Sequence, residues 1–307
     1  MEFHGYGDCV QLDNGHARVV LGHHAGGRVL EYSLGDVNVI ALDPAQAGWT
    51  RDAATAHGGP AEIDPWGGRF DVGPEKVTPA HPTLWHGPWT VEVLSGERVR
   101  LTSERDPVTG LRLVRDFVLA ADSTQLTCTQ TIHNESEVTH EVCHWGRTLV
   151  TGGGIAVVPL SSPSRFPQGY VMYDEALPLI DFEPTDPAIT VTDGILQVNG
   201  TPKGPKLGMD STVGWLGYLL TAGVLFVKRF PVYPDRVYNE VAGLTVSLWC
   251  YRDLVCEVEP LGPRERLHPG ESASFTEDWW LLPHSFPQSG QTLDLSALAA
   301  RVEREAV

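Results

Sequence analysis

Two carboxylates, Glu257 and Glu259, stand two residues apart in Cys256-Glu257-Val258-Glu259-Pro260. On a strand, residues i and i+2 share a face, so both charges would be presented together. Like charges that close raise at least one pKa unless a cation lies nearby, and a carboxyl raised toward neutrality serves as a general base. The plainer reading is a pair of solvated carboxylates on an exposed sheet face. A second motif, His140-Glu141-Val142-Cys143-His144, fits the His-Glu-x-x-His signature of zinc proteases. That chemistry requires a helix, which alone puts both imidazoles on one metal. Here Val138, His140, Val142 and His144 alternate as on a strand, and Trp145-Gly146-Arg147 follows. At the usual strand rise the two imidazoles would lie about 13 Å apart. A zinc metalloprotease is therefore an outside alternative, and no metal is expected.

A third group gathers in and just after the stretch from Pro44 to Pro88: His57, Trp66, His81, Trp85, His86 and Trp89. Indole faces beside hydrogen-bonding imidazoles suit sugar rings, whose C–H faces stack on aromatics. Tryptophans that simply pack in a β-sandwich are the competing explanation. Arg69, Arg147, Lys206 and Lys228 are further polar candidates, although lone charges are mostly surface residues. There is no Gly-x-Gly-x-x-Gly after a strand, no Walker loop, no Gly-x-Ser-x-Gly elbow and no EF-hand loop.

The elements that must position these residues are strands. Period-two alternation of β-branched and aromatic residues dominates. It predicts strands over 18–21, 28–34, 37–42, 89–94, 98–102, 111–119, 125–132, 155–160, 189–192, 195–198, 213–220, 224–230, 244–250, 254–259 and 273–282. Asn14-Gly15, Ser95-Gly96 and Asp193-Gly194 are hairpin signals between them. About sixteen short strands with this turn spacing indicate an all-β sandwich. The stretches Pro44 to Pro88 and Ser161 to Asp186 read as long irregular loops, and loops of that length are usually functional. The one clear helix is C-terminal, where Leu295, Leu298, Ala299 and Val302 share a face and Asp294 or Ser296 supplies the cap. One β domain over 1–290 is expected, with residues 291–307 as a helix packing on it or on a partner, as in a homodimer.

Composition bounds the partners. The 307 residues are 42% apolar, too many for a disordered chain, and no apolar run approaches a transmembrane helix. With 22 Lys and Arg against 39 Asp and Glu, few cations are available to neutralise phosphates, which argues against nucleic acid. Met-Glu-Phe-His-Gly at the start carries no basic segment before an apolar run, which predicts no signal peptide and a cytoplasmic protein that engages no membrane. The five scattered cysteines are then expected to be reduced and mostly buried.

Taken in order, the landmarks resemble the galactose mutarotase (aldose 1-epimerase) superfamily. Gly26-Gly27-Arg28-Val29-Leu30 is similar to the family's opening Gly-x-Arg strand. Gly67-Gly68-Arg69-Phe70 resembles its early Gly-Arg segment, whose Arg contacts the sugar. Leu84-Trp85-His86-Gly87-Pro88 resembles its Leu-His-Gly-Gly, whose His binds the sugar. His144 falls where the family has the His of Asn-His-Thr-Tyr, beside Trp145 and Arg147, and Glu257 or Glu259 where it has the Glu of Leu-Glu-Thr-Gln. Leu267-His268-Pro269-Gly270-Glu271 resembles the terminal Leu-x-Pro-Gly-Glu turn, and Asp210 would take the sugar-binding Asp position. The match spans roughly residues 20–285.

The resemblance implies a large antiparallel β-supersandwich and a small-molecule carbohydrate ligand, with no cofactor. It also implies roles. Glu257 or Glu259 would take the proton of the anomeric hydroxyl while His144 protonates the ring oxygen. The C1–O5 bond then breaks, C1–C2 rotates, and reclosure gives the other anomer. Two departures stand out. Asn-His-Thr-Tyr reads Cys143-His144-Trp145-Gly146, and Gly-Arg-x-x-Asn-Arg reads Gly68-Arg69-Phe70-Asp71-Val72-Gly73, without the second Arg. A non-catalytic carbohydrate-binding or sensing protein of the same fold is the alternative.

Overall fold

Alternation along the strands builds two antiparallel sheets. The computed structural model describes residues 1–59, 62–174 and 177–306. Pro60, Ala61, Glu175, Ala176 and Val307, which fall in the two long stretches and at the helix end, lie outside the described residues. In chain order the first strands are β1 (Val10–Asp13), β2 (Arg18–Gly22), β3 (Arg28–Leu34), β4 (Val37–Asn38) and β5 (Gly68–Gly73). Next come β6 (Trp89–Val93), β7 (Arg98–Ser103), β8 (Leu111–Leu119), β9 (Leu126–Asn134), β10 (His140–Thr151) and β11 (Ile155–Pro159). They continue as β12 (Tyr170–Asp174), β13 (Leu177–Asp181), β14 (Ile189–Thr192), β15 (Ile195–Asn199), β16 (Lys206–Met209) and β17 (Trp215–Leu219). The last are β18 (Val224–Arg229), β19 (Val246–Tyr251), β20 (Val255–Pro260), β21 (Glu265–Leu267) and β22 (Ser272–Pro283).

The first sheet runs β1-β2-β3-β5-β10-β20-β19-β16-β12-β13, with β4 on β3 and β21 on β10. The second runs β14-β15-β11-β17-β18-β22-β9-β8-β7-β6. Their facing sides make the main core. Phe70, Val72, Val150, Leu207, Leu248 and Val258 of the first sheet meet Leu113, Phe117, Ile132, Phe226 and Trp279 of the second. The helix α3 (Leu295–Glu305) follows two short ones, α1 (Arg51–Ala56) and α2 (Pro82–His86). Asp294 caps α3 by accepting from the Ala297 amide at 2.9 Å. Its apolar stripe, Leu295, Leu298 and Val302, seals the outer side of the second sheet against Trp215, Val227 and Trp280. No helix among the described residues is long and apolar enough to cross a membrane.

Two expectations are corrected here, and one is borne out. The two stretches read as loops contain strands: β5 lies in the first, and β12 and β13 in the second. β5 does alternate, Arg69 and Asp71 against Phe70 and Val72, but the run is only four residues between glycines and its Gly- and Pro-rich surroundings give loop signals. The His-Glu-x-x-His motif opens β10 and no helix forms there, so its two imidazoles cannot meet on one ion. His140 instead meets the Ser136 hydroxyl at 3.1 Å. Finally, Cys250 and Cys256 are joined by a disulfide across the β19–β20 pair, while Cys9, Cys128 and Cys143 are free and buried. Antiparallel register places the two directly opposite each other, with Cα atoms 4.0 Å apart, a contact that six-residue spacing alone does not reveal.

Candidate functional site

Register assembles a charged surface on the side of the first sheet turned away from the second. In β20, Cys256 and Val258 enter the core, so Glu257 and Glu259 point the other way. In β5, Phe70 and Val72 enter the core, so Arg69 and Asp71 join the carboxylates. Arg147 lies opposite Arg69 and Trp145 opposite Asp71 in the β10–β5 pairing. Across β19, Ser247 lies opposite Glu259 and Trp249 opposite Glu257, and Lys206 of β16 lies opposite Trp249. The helix α2 then lays Trp85 on it.

These charges are paired. Glu257 receives Arg69 and, at 3.0 Å, the Nε of Arg147. Arg69 also reaches Asp64, and Arg147 reaches Asp71 at 3.4 Å. Both guanidiniums lie over the Trp85 ring, at 4.4 and 5.0 Å from its centre. Glu259 accepts from the Trp145 indole at 2.7 Å and lies 3.4 Å from the Lys206 ammonium. His81 Nε2 lies 2.7 Å from Asp71.

Environment splits the two glutamates. Burial disfavours the Glu257 charge, but Arg147, Arg69 and Lys206 outweigh it and hold the carboxyl well below the usual carboxylate range. Glu259 is buried too, and the neighbouring Glu257 charge adds to the burial. Together they overcome Lys206 and push Glu259 up to about 7. The same attraction raises Arg147 and Lys206 further, against the cost of burial. Burial also opposes a charge on His81, yet its bond to Asp71 raises it to about 9, so this imidazole is protonated at neutral pH.

Beside this network lies a cavity of about 230 Å³ whose walls include Asp64, Asp71, His81, Trp85, His86 and Arg147. It offers one aromatic face, a cationic donor, an anionic acceptor and a protonated imidazole.

No protein-family model and no curated relative matches the sequence. Solved structures do match. The Slr1438 protein from Synechocystis sp. PCC 6803 aligns over 92% of this chain and 99% of its own, with a TM-score of 0.60 at 14% identity. A galactose mutarotase-like protein from Lactobacillus casei ATCC 334 aligns over 89% of this chain and all of its own, with a TM-score of 0.57 at 11% identity. A galactose mutarotase-related enzyme from Lactobacillus acidophilus aligns over 90% and 98%, with a TM-score of 0.53 at 12% identity. The chain has the galactose mutarotase-like fold.

On this mutarotase-like scaffold the expected residues separate. Arg69, Trp85, Trp145, Arg147, Glu257 and Glu259 come together on one face, and His86 lines the cavity beside them. His144 does not. As an even-numbered residue of β10 it shares the parity of Val142 and Val150 and points into the core between the sheets. It is fully buried between the rings of Phe70 and Phe275, and its Nε2 lies 3.0 Å from the Ala273 carbonyl. Burial pushes it down to about 4, so at neutral pH it is an uncharged core residue. His144 and its neighbour Trp145 therefore lie on opposite faces of β10, since one position on a strand is the other face. Asp210 is also engaged elsewhere. It accepts from the Ser164 hydroxyl at 2.6 Å and the Arg165 amide at 2.8 Å, holding the chain before β12.

Asp71 and Asp64 were missed by sequence reasoning, and His81 was noted there only as part of an aromatic loop. Asp71 had a signal, since Arg69-x-Asp71 shares a face once β5 is read as a strand. The His81–Asp71 contact joins a loop to a strand and has no local signature.

The pair makes a measurable prediction. In wild type, His81 should titrate near 9 by NMR, and Asp71→Asn should return it toward 6.5. Because its folded pKa is raised, its stabilising contribution is complete below about 6.5 and is lost as pH rises through about 9. Asp71, whose pKa is lowered, limits the same contribution on the acid side. A wild-type His81 titrating near 6.5 would show that the ion pair does not form.

Proposed function

We propose that the protein binds a small carbohydrate in the cavity between α2 and the charged face of the first sheet. One observation carries this reading: Trp85, Arg147 and the Asp71–His81 pair converge on a single cavity in a mutarotase-like fold. An indole face takes the C–H side of a sugar ring, and the cation, carboxylate and imidazole take its hydroxyls. Binding is favoured over turnover because Glu257 is neutralised by two guanidiniums and His144 is absent from this face.

A second reading, aldose 1-epimerase-like anomer conversion, is favoured by the protonated His81 on the cavity wall. His81 would then give the proton to the ring oxygen; neither Glu257 nor Glu259 lines this cavity, so the carboxylate taking the anomeric proton would be Asp64 or Asp71, which do.

Calorimetry against a panel of aldoses tests the first reading, and NMR exchange between anomers tests the second. Saturable binding is expected, weakened about tenfold or more in Trp85→Ala, which removes the stacking face. No binding across the panel, or a Trp85→Ala variant equal to wild type, overturns the proposal. Exchange above buffer that His81→Gln abolishes would establish the enzyme reading over the binding one.

A further inference from the structure

Each sheet has two end strands, and one of the four is unguarded. β6 carries Glu92, β13 carries Pro178 and β1 ends on Asp13, and charges and prolines at an edge discourage a further strand from pairing there. β14, Ile189-Thr190-Val191-Thr192, has neither a charge nor a proline. Among the described residues it pairs only with β15, and Thr190, Val191 and Thr192 are exposed.

Register sets the direction of its backbone groups. The Asn199 amide donates to the Ala188 carbonyl at 2.8 Å. Bonded and non-bonded pairs alternate along an antiparallel ladder, so Thr190 and Thr192 bond β15. The N–H and C=O of Val191 therefore point to the free edge.

Each face of this edge adjoins a cavity. Thr190 lies opposite Gln197, and Thr192 lies opposite Ile195, which packs under α3, so both threonines are on the outer face. The cavity there is about 600 Å³, and its walls include Thr190, Thr192, Asp193, Gln197, Asn199 and Asp294. Ile189 lies opposite Val198 and Val191 opposite Leu196, both core residues, so these two are on the inner face. A cavity of about 490 Å³ lies on that side, and its walls include Ile189, Val191, Tyr170, Pro184 and Asp186. Successive side chains of an added strand would enter the two cavities alternately.

Charge selects the occupant. The charged residues on these walls are all acidic, Asp193 and Asp294 on the outer cavity and Asp186 on the inner one. Asp186 accepts from the Ala188 and Lys203 amides and Asp294 from the Ala297 amide, which are neutral donors. A second copy paired antiparallel through β14 would turn the Asp193 end of each chain toward the Asp186 end of the other, and like charges so placed repel. A basic strand meets attraction at both ends.

We infer that β14 accepts an extended segment of a partner protein as a further strand, one in which basic residues alternate with apolar ones. The basic side chains enter the outer cavity by Asp193 and Asp294, the apolar ones meet Ile189 and Val191, and the Val191 backbone supplies hydrogen bonds. This surface shares no residue with the cavity proposed for carbohydrate, so the two readings are tested separately.

Calorimetry with an end-blocked octapeptide of alternating lysine and valine tests the inference. The peptide should bind about tenfold or more tighter than its isomer with the lysines and valines in two blocks, which has the same charge. Thr192→Lys puts a cation on the edge, and Val191→Pro removes its N–H. Each should weaken binding about tenfold or more while circular dichroism stays that of wild type. The Val191 amide of the wild-type protein should exchange its hydrogen more slowly in the complex. No binding, equal binding of the block isomer, or binding that Thr192→Lys leaves unchanged overturns the inference. So does a dimer in sedimentation velocity that Thr192→Lys dissociates, which would give the edge to a second copy.

Discussion

Glu257→Gln should destabilise the protein by about 3–5 kcal/mol, because it leaves buried guanidiniums without their shared anion. Arg69 and Arg147 lie under the same indole and share this one carboxylate. Asp64 and Asp71 remain to them, but Asp64 is more than half exposed and Asp71 is already committed to His81. Glu259→Gln should cost less, about 1.5–3 kcal/mol, because a neutral amide oxygen can still face the Lys206 ammonium. Its amide oxygen still accepts from Trp145, and the native carboxyl already titrates near neutrality. Denaturant unfolding at pH 7 measures both variants. Similar losses would show that the two carboxyls are not held in different states. The pH dependence has a sign as well. The folded pKa of Glu257 lies below its ordinary 4.5, so its contribution is complete above about 4.5 and vanishes as acid protonates it. Glu257→Gln should therefore flatten the acid limb of the stability curve.

The second large effect lies in the core. Lys228 of β18 and Glu277 of β22 are both buried, 3.0 Å apart, between the sheets. Lys228 also donates to the Val258 carbonyl at 3.1 Å, in the strand segment between Glu257 and Glu259. Glu277 accepts from Gln130 and from the Trp279 indole, each at 2.8 Å. Lys228→Met or Glu277→Gln alone should cost about 3–5 kcal/mol, since either strands a buried charge. The double variant Lys228→Met with Glu277→Gln should cost less than the two singles added together. A coupling of about 2 kcal/mol or more is expected from the cycle, and strict additivity would mean that the pair does not act as a unit.

Much of the fold could be read from the chain. β3, β8 and β14 have the bounds that alternation predicts, because each has apolar residues at core positions and turn residues at its ends. β5, β12 and β13 could not be read this way. Their Gly- and Pro-rich surroundings give loop signals, and β5 carries Arg69 and Asp71, which become buried only through partners remote in sequence. The site was legible in part for the same reason. Residue types and motif order pointed to Arg69, Trp85, Arg147 and the two glutamates. Which neighbour of a strand residue faces outward depends on parity, and a motif resemblance does not carry parity. His144 and Trp145 differ by that single step, and so do a core residue and a site residue.

Gly146 shows what fixes that step. A side-chain carbon at this position of β10 would overlap the Glu277 carboxylate, which reaches across from the other sheet. Glu277 therefore works as a detent and Gly146 as the notch that receives it. Sliding β10 by one residue in either direction would bring Trp145 or Arg147 against the carboxylate, which has no room for them. Each sheet thereby sets the phase of the other, and a buried acid that never meets a ligand determines which side chains of β10 can.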